Sequence, residues 1–220
     1  MGIMGSAEYF DAIASRWDSL RASFFPEKVR EKAFSLAQLE PGRTALDIGA
    51  GTGFVTEGLV RLGLKVIAID QSWSMIEQMK SKFGNESGIE YRQADGEFLP
   101  LDGGSVDYAF ANMYLHHTES PARAIVEAVR VLRDGGKLIV TDLDEHGFEF
   151  LRTEQKDRWL GFKRGDVRAW FEDAGLTDMG IDCVGADCCA DSGDAEDSAR
   201  VSIFVAWGTK RRRGGNRDPR

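Results

Sequence analysis

Long hydrophobic runs are missing from this sequence. No apolar stretch approaches the ~20 residues that a membrane span requires, and no charged, apolar and small-residue series marks a secretory signal. The chain is therefore expected in the cytoplasm. No internal repeat is visible, so a repeat array is not indicated. Cysteine is scarce, and all three residues of that type, Cys183, Cys188 and Cys189, fall within seven positions. Positive charge is scarce too, with 28 Lys and Arg against 36 Asp and Glu and a formal net charge of −8. Six of those basic residues and one acid lie in Lys210–Arg220, so residues 1–209 carry 22 against 35, a net −13. An acidic body repels phosphate backbones, which argues against nucleic acid as the main substrate. The glycine, proline and charge content of residues 210–220 predicts a basic disordered tail.

What the sequence does hold is a set of apolar runs, each ending in a chemically marked residue. Leu46-Asp47-Ile48-Gly49-Ala50-Gly51-Thr52-Gly53-Phe54 reads as strand, tight turn and helix start, and the missing side chains let a ligand approach the backbone amides. Val66-Ile67-Ala68-Ile69 then stops at Asp70, a carboxylate placed to clamp a ribose. A dinucleotide fingerprint wants glycine at the sixth position from Gly49, where Phe54 stands, and this argues against NAD. Further strand signals lie at 88–93, 105–111, 137–143, 176–184 and 200–208. Pro121 suits the first position of a crossover helix over Ala122–Leu132. Strands alternating with helices predict a parallel sheet, and the 220 residues suit one α/β unit that buries roughly 70% of its unfolded surface. A ligand would then sit beyond the carboxyl ends of the strands, where Asp47, Asp70, Asp95, Asn112 and Asp142 converge.

Asp47-x-Gly49-x-Gly51-x-Gly53 with Asp70 closing the next strand resembles the class I S-adenosylmethionine-dependent methyltransferases, in their type 11-like, small-molecule branch. Residues 94–112, from Ala94-Asp95-Gly96-Glu97 to Asn112, are similar to that family's adenine-contacting turn and fourth strand. Residues 131–140 resemble its approach to strand five, with Asp134 standing where proline is usual. The resemblance implies a Rossmann-like, seven-stranded, mostly parallel sheet with helices on both faces and an antiparallel last strand between strands five and six. It implies an amino-terminal helical lid over residues 1–40, a cofactor-binding domain over 41–209 and the tail beyond. S-adenosyl-L-methionine is the implied cofactor. Gly49, Ala50 and Gly51 would pass beneath it, Asp70 and Gln71 would hold the ribose, and Asp95, Gly96 and Glu97 would meet the adenine. Asp47 and Asn112 would complete the set, with Asn112 near the methionyl part.

The segment from Tyr9-Phe10-Asp11 to Trp17, followed by Phe24-Phe25, is aromatic and looks like the lid, which brings Tyr9 and Trp17 toward the cofactor. Just past the fourth strand, His116 and His117 are candidate general bases for an alcohol or amine acceptor, and His146 is a third. The stretch Asp142–Phe162, with a helix expected over 149–159, is where this fold builds its substrate pocket. The implied partner is a small-molecule methyl acceptor, with no membrane contact. Two other readings stay open. One is a methyltransferase for arsenite or another thiophilic metalloid, using Cys183, Cys188 and Cys189 as thiolates at the end of strand six. The other is a module that binds S-adenosylmethionine and does no chemistry. Adjacent Cys188 and Cys189 lack the spacing of a zinc site.

Overall fold

The apolar runs become the strands of one sheet. In the computed structural model, which describes residues 6–84, 88–193 and 197–212, they are β1 (Thr44–Ile48), β2 (Lys65–Asp70), β3 (Ile89–Gln93), β4 (Val106–Asn112), β5 (Leu132–Leu143), β6 (Leu176–Asp191) and β7 (Ser198–Lys210). Their spatial order is β3-β2-β1-β4-β5-β7-β6. Neighbours from β3 through β5 pair in parallel, and β7 runs antiparallel to both β5 and β6. This is the Rossmann-like sheet that the sequence implies, with the last strand inserted between the fifth and sixth.

Side chains alternate across each strand, so the sheet has two apolar faces. Leu46, Ile48, Leu138, Val140 and Phe204 share a core with α6 (Pro121–Val131) and α8 (Arg164–Asp173). Ala45, Ile139 and Val205 share the other with α3 (Lys28–Ala37) and α4 (Phe54–Arg61). Each fully buried Leu, Ile or Phe contributes roughly 1.5–3 kcal/mol relative to exposure. The remaining helices are α1 (Ser6–Ile13), α2 (Trp17–Phe24), α5 (Trp73–Phe83) and α7 (Phe150–Glu154). Ser72 caps α5 by accepting from Met75 N–H at 3.1 Å, and Ser120 precedes Pro121 at the start of α6, as the sequence predicts.

Several boundaries differ from expectation. β5 starts at Leu132, because Leu132 pairs with Val106 ahead of a register shift, so Gly135 and Gly136 lie within the strand. β6 runs on to Asp191 and carries all three cysteines in an edge strand rather than in a loop. The helix expected over 149–159 is a single short one, Phe150–Glu154. Lys210 is the last residue of β7, and its ammonium donates to the carbonyls of Leu132 and Arg130 at 2.7 and 3.1 Å. Residues 213–220 of the expected tail lie outside the described residues. The amino-terminal region also divides: α1 and α2 cover the carboxyl ends of the strands, whereas α3 docks Val29, Ala33 and Ala37 on the sheet.

Candidate active site

A cleft of about 800 Å³, open to solvent, lies over the carboxyl ends of β1, β2 and β4. Its floor is the turn after β1, where Gly49, Ala50 and Gly51 line it. Gly49 has φ +66°, and a Cβ there would collide with the ring of Tyr114, so only glycine fits. Tyr114 also lies against Gly96, which closes that side of the cleft. Asp70 ends β2 with its carboxylate oriented by backbone donors: Gly51 N–H reaches Oδ2 and Ser72 N–H reaches Oδ1, both at 2.8 Å. Burial pushes this carboxyl up to about 6, while those donors pull the other way. Gln71 lines the same side. Asn112 lines the far end, and its Oδ1 accepts from Thr141 Oγ1 at 2.7 Å, which leaves the amide nitrogen as its donor to a ligand. Above, Trp17 brings its indole nitrogen close to Gly51, and Phe10 packs edge-on against Trp17 at 5.3 Å.

Four residues expected at the cofactor are not among those lining this cleft. Asp47 is 1% exposed and lines no part of the cleft. Its Oδ2 accepts from Thr56 N–H at 2.9 Å and Thr56 Oγ1–H at 2.6 Å, so it caps α4, whose N-cap residue Gly53 offers no side chain. Burial raises its carboxyl to about 7 despite those donors. Asp95 turns back to accept from Glu97 N–H at 2.9 Å, an Asx turn that shapes the loop while its neighbours Ala94 and Gly96 line the cleft. Glu97 is buried and accepts from Glu119 and Ser120 N–H at 2.7 and 3.1 Å, tying this loop to the start of α6. Tyr9 faces away from the cofactor side, donating to Gln155 Oε1 at 2.7 Å.

Tyr9 belongs to a second cavity of about 490 Å³, walled by Phe24, Leu143, Leu151, Gln155, Asp157 and Cys188. Phe10, Trp17, Phe25, Met113 and His117 border both spaces. Met113 sits on that shared wall with φ +50°, a left-handed conformation costly for a residue with a side chain and found where a site over-determines the backbone. His117 packs edge-on against Phe10 at 4.9 Å. Burial, and then the neighbouring His116, hold its ring well below the usual histidine range. His116 is buried, with Nδ1 2.6 Å from Asp142 Oδ1, and Asp142 also accepts from Leu115 N–H at 2.9 Å. Burial alone would lower its pKa, but the Asp142 and Asp157 carboxylates raise it to about 9. Its Nδ1 is engaged by Asp142, which leaves Nε2, 3.8 Å from Asp157 Oδ1, as the ring nitrogen free of a hydrogen bond. His146 borders neither cavity, and its Nδ1 accepts from Phe148 N–H at 3.3 Å.

The thiolate cluster is also corrected. Cys183, Cys188 and Cys189 are free and half-buried along β6, and they form no metal-ligand group among the described residues. Burial, and then the nearby Asp157, push the Cys188 thiol up to about 12, the opposite of a reactive thiolate. Met113, Tyr114, Gln155 and Asp157 are site residues that the sequence reading passed over. The first two lie between the expected Asn112 and His116, whereas Gln155 and Asp157 follow a short helix with no motif around them.

The family described as "Methyltransferase domain" matches residues 46–140, the stretch from β1 into β5. A demethylmenaquinone methyltransferase of Thermobifida fusca is 30% identical over 161 residues, 71% of this chain and 66% of that protein. A malonyl-[acyl-carrier protein] O-methyltransferase of Hahella chejuensis is 34% identical over 139 residues, covering 62% and 49%. The chain thus spans less than two thirds of the length of these curated relatives. A crystal structure of a methyltransferase from Aquifex aeolicus superposes with a TM-score of 0.66 over 90% of this chain and 97% of that one, at 22% identity, and shows the shared fold. The glycine turn, the acidic end of β2 and the strand order all fall within this pattern, and the chain belongs to the class I S-adenosylmethionine-dependent methyltransferases.

Proposed function

We propose that this protein transfers the methyl group of S-adenosylmethionine to a small, largely apolar acceptor held in the second cavity. The observation that carries this reading is the shared wall: Met113 and His117 border both cavities, so a group leaving one space enters the other across them. The residues of the first cleft fit the cofactor. Asp70 presents a half-buried carboxylate for ribose hydroxyls, Gly49 and Gly96 allow close approach, and the Asn112 amide lies at the methionyl end. When bound, S-adenosylmethionine supplies an electrophilic methyl group on a sulfonium.

Transfer is then a matter of alignment and exclusion of water, worth several kcal/mol. Phe10 and Trp17 shield the junction, and the second cavity is apolar apart from Tyr9, Gln155, Cys188 and the His–Asp group. The relatives named demethylmenaquinone methyltransferase and malonyl-[acyl-carrier protein] O-methyltransferase act, by those names, on acceptors other than nucleic acid, in keeping with the acidic body.

Calorimetric titration of S-adenosylmethionine and S-adenosylhomocysteine into the wild type and Asp70→Ala tests the cofactor half. Binding is expected for the wild type and weak or absent for the variant. A panel of apolar phenols and thiols, read by formation of S-adenosylhomocysteine, tests the acceptor half. Cofactor binding with no turnover on any member would favour the non-catalytic binding module, and absence of cofactor binding would remove the reading altogether.

A further inference from the structure

The His–Asp group at the floor of the second cavity is unexplained by methyl transfer alone. His116 Nε2 and His117 Nδ1 each lie 3.8 Å from Asp157 Oδ1, and His117 Nδ1 also meets the Lys156 carbonyl at 3.4 Å, a long contact that metal binding would replace. One donor atom from each of the three residues lies within 4.8 Å of the others, and both His116 and Asp157 are buried. Asp157 is 6% exposed, and its carboxylate accepts no hydrogen bond from the described residues, the two imidazoles being too far for one. A buried carboxylate without hydrogen-bond donors is costly, and the charges of His116 and Arg152 offset that cost only from a distance. Two nitrogens and one oxygen within 4.8 Å of one another, at separations too long for hydrogen bonds, leave room for a bridging cation.

The surroundings match such a site. His116 gives its Nδ1 to Asp142, the carboxylate–histidine arrangement that orients a ligating ring and leaves Nε2 for a metal. Asp142 is itself fixed by Leu115 and Leu143 N–H at 2.9 and 2.8 Å. Bonds of ~2.0–2.1 Å at a tetrahedral metal separate ligand atoms by about 3.3 Å, so each 3.8 Å gap closes by about half an ångström on binding. Asp157 follows Lys156 in the loop after α7, and Arg158 and Trp159 N–H, which donate to the His116 carbonyl at 2.9 and 3.1 Å, hold that loop against the histidines. Imidazole and carboxylate donors select a zinc-type divalent metal over magnesium, which prefers oxygen ligands.

We infer that His116 Nε2, His117 Nδ1 and Asp157 Oδ1 form a three-ligand site for a zinc-type divalent metal, with its fourth position open to the second cavity. This deepens the proposed function, on which its purpose rests. The acceptor class becomes a small apolar molecule that offers an oxygen or sulfur lone pair to the metal beside the methyl donor. His116 and His117 then act as ligands, in place of the general bases that the sequence suggests.

The test is cobalt(II) titration of the full chain, stripped of metal, followed by visible absorption and by calorimetry. One equivalent with the intense bands of four-coordinate cobalt is expected. Asp157→Asn should abolish them, and Asp142→Asn should weaken binding about 10–100-fold. Cys188→Ser should leave the bands unchanged. Magnesium should not compete, and zinc should displace cobalt. S-adenosylhomocysteine titration into Asp157→Asn serves as the folding control and is expected to match the wild type. No cobalt binding, or binding that survives Asp157→Asn, overturns the metal site while leaving the cofactor reading intact. Loss of a cobalt–sulfur charge-transfer band in Cys188→Ser would overturn the open fourth position. Failure of S-adenosylhomocysteine to bind a chain that still takes up cobalt would instead remove the methyltransferase function.

Discussion

Asp70 shows how one residue's surroundings set a measurable behaviour. Its carboxyl is raised to about 6 by burial, and the ribose hydroxyls need an ionised acceptor for the strongest bonds. Ionisation is complete only above that value, so affinity for S-adenosylhomocysteine should be full near pH 8 and should fall as the pH drops through about 6. Asp70→Asn should be weak and flat across the same range in calorimetric titrations, and an equal pH slope in that variant would assign the effect elsewhere. Asp47 carries a different prediction. Because it caps α4 through Thr56, Asp47→Ala should cost on the order of 1–3 kcal/mol in urea unfolding, with a smaller effect on cofactor affinity than Asp70→Ala. The strand-end positions of these acids were legible from the sequence because each closes an apolar run. Their partners were not. Whether a carboxylate faces a ligand or a helix amide depends on which neighbour offers unpaired N–H groups, as the side-chain-free start of α4 and the loop before α6 do for Asp47 and Glu97.

At the scale of elements, α1 is held by a small apolar cluster, Ile13 and Ala14 on Met75 with Phe10 and Trp17 against them, and by polar ties from Tyr9 and Asp11. In α1, Tyr9 donates to Gln155 beside the second cavity, and Asp11 accepts from Ser72 Oγ–H at 2.5 Å and Ser74 N–H at 3.0 Å at the start of α5. Most residues of α1 are only partly buried, and such an element opens more easily than the buried strands β1 and β4. Backbone amides of residues 8–13 should therefore exchange with deuterium faster than those of β1 or β4, and should slow when S-adenosylhomocysteine is bound. Asp11→Ala should speed their exchange in the free protein and weaken cofactor binding several-fold. Unchanged exchange on binding would mean that α1 is not a lid. The aromatic run signalled this element, and the glycine turn, β1, β2 and β4 were readable for the same reason: dense, regular apolar patterning. β6 was harder to bound. It is an edge strand with one neighbour, its residues are mostly half-exposed, and its last third, Asp187–Asp191, is polar and cysteine-bearing without an apolar run. Asp157 is beyond such patterning altogether, since only the folding of α7 over the sheet brings it to the histidines.

For the whole molecule, the two cavities share walls drawn from α1, α2 and the segment after β4, and the first cleft adds the turn after β1, so cofactor binding joins segments that are distant in sequence. A ligand that binds only the folded state stabilises it by RT ln(1 + [L]/Kd), about 2.7 kcal/mol at a hundredfold excess over Kd. For a chain of this length, 1 kcal/mol shifts Tm by about 2–4 °C, so saturating S-adenosylhomocysteine should raise Tm by roughly 5–11 °C. Asp70→Ala should lose most of that rise at the same ligand concentration while keeping a similar Tm without ligand, because its carboxylate is strained by burial and its backbone donors can turn to water. Metal should add its own increment. If cobalt(II) and S-adenosylhomocysteine bind separate sites that share the Met113–His117 wall, each should raise Tm in the absence of the other, and Asp157→Asn should erase only the cobalt increment. A cobalt increment that persists in Asp157→Asn would put the metal elsewhere on this acidic surface, and a cofactor increment unaffected by Asp70→Ala would put the nucleoside outside the cleft over β1 and β2.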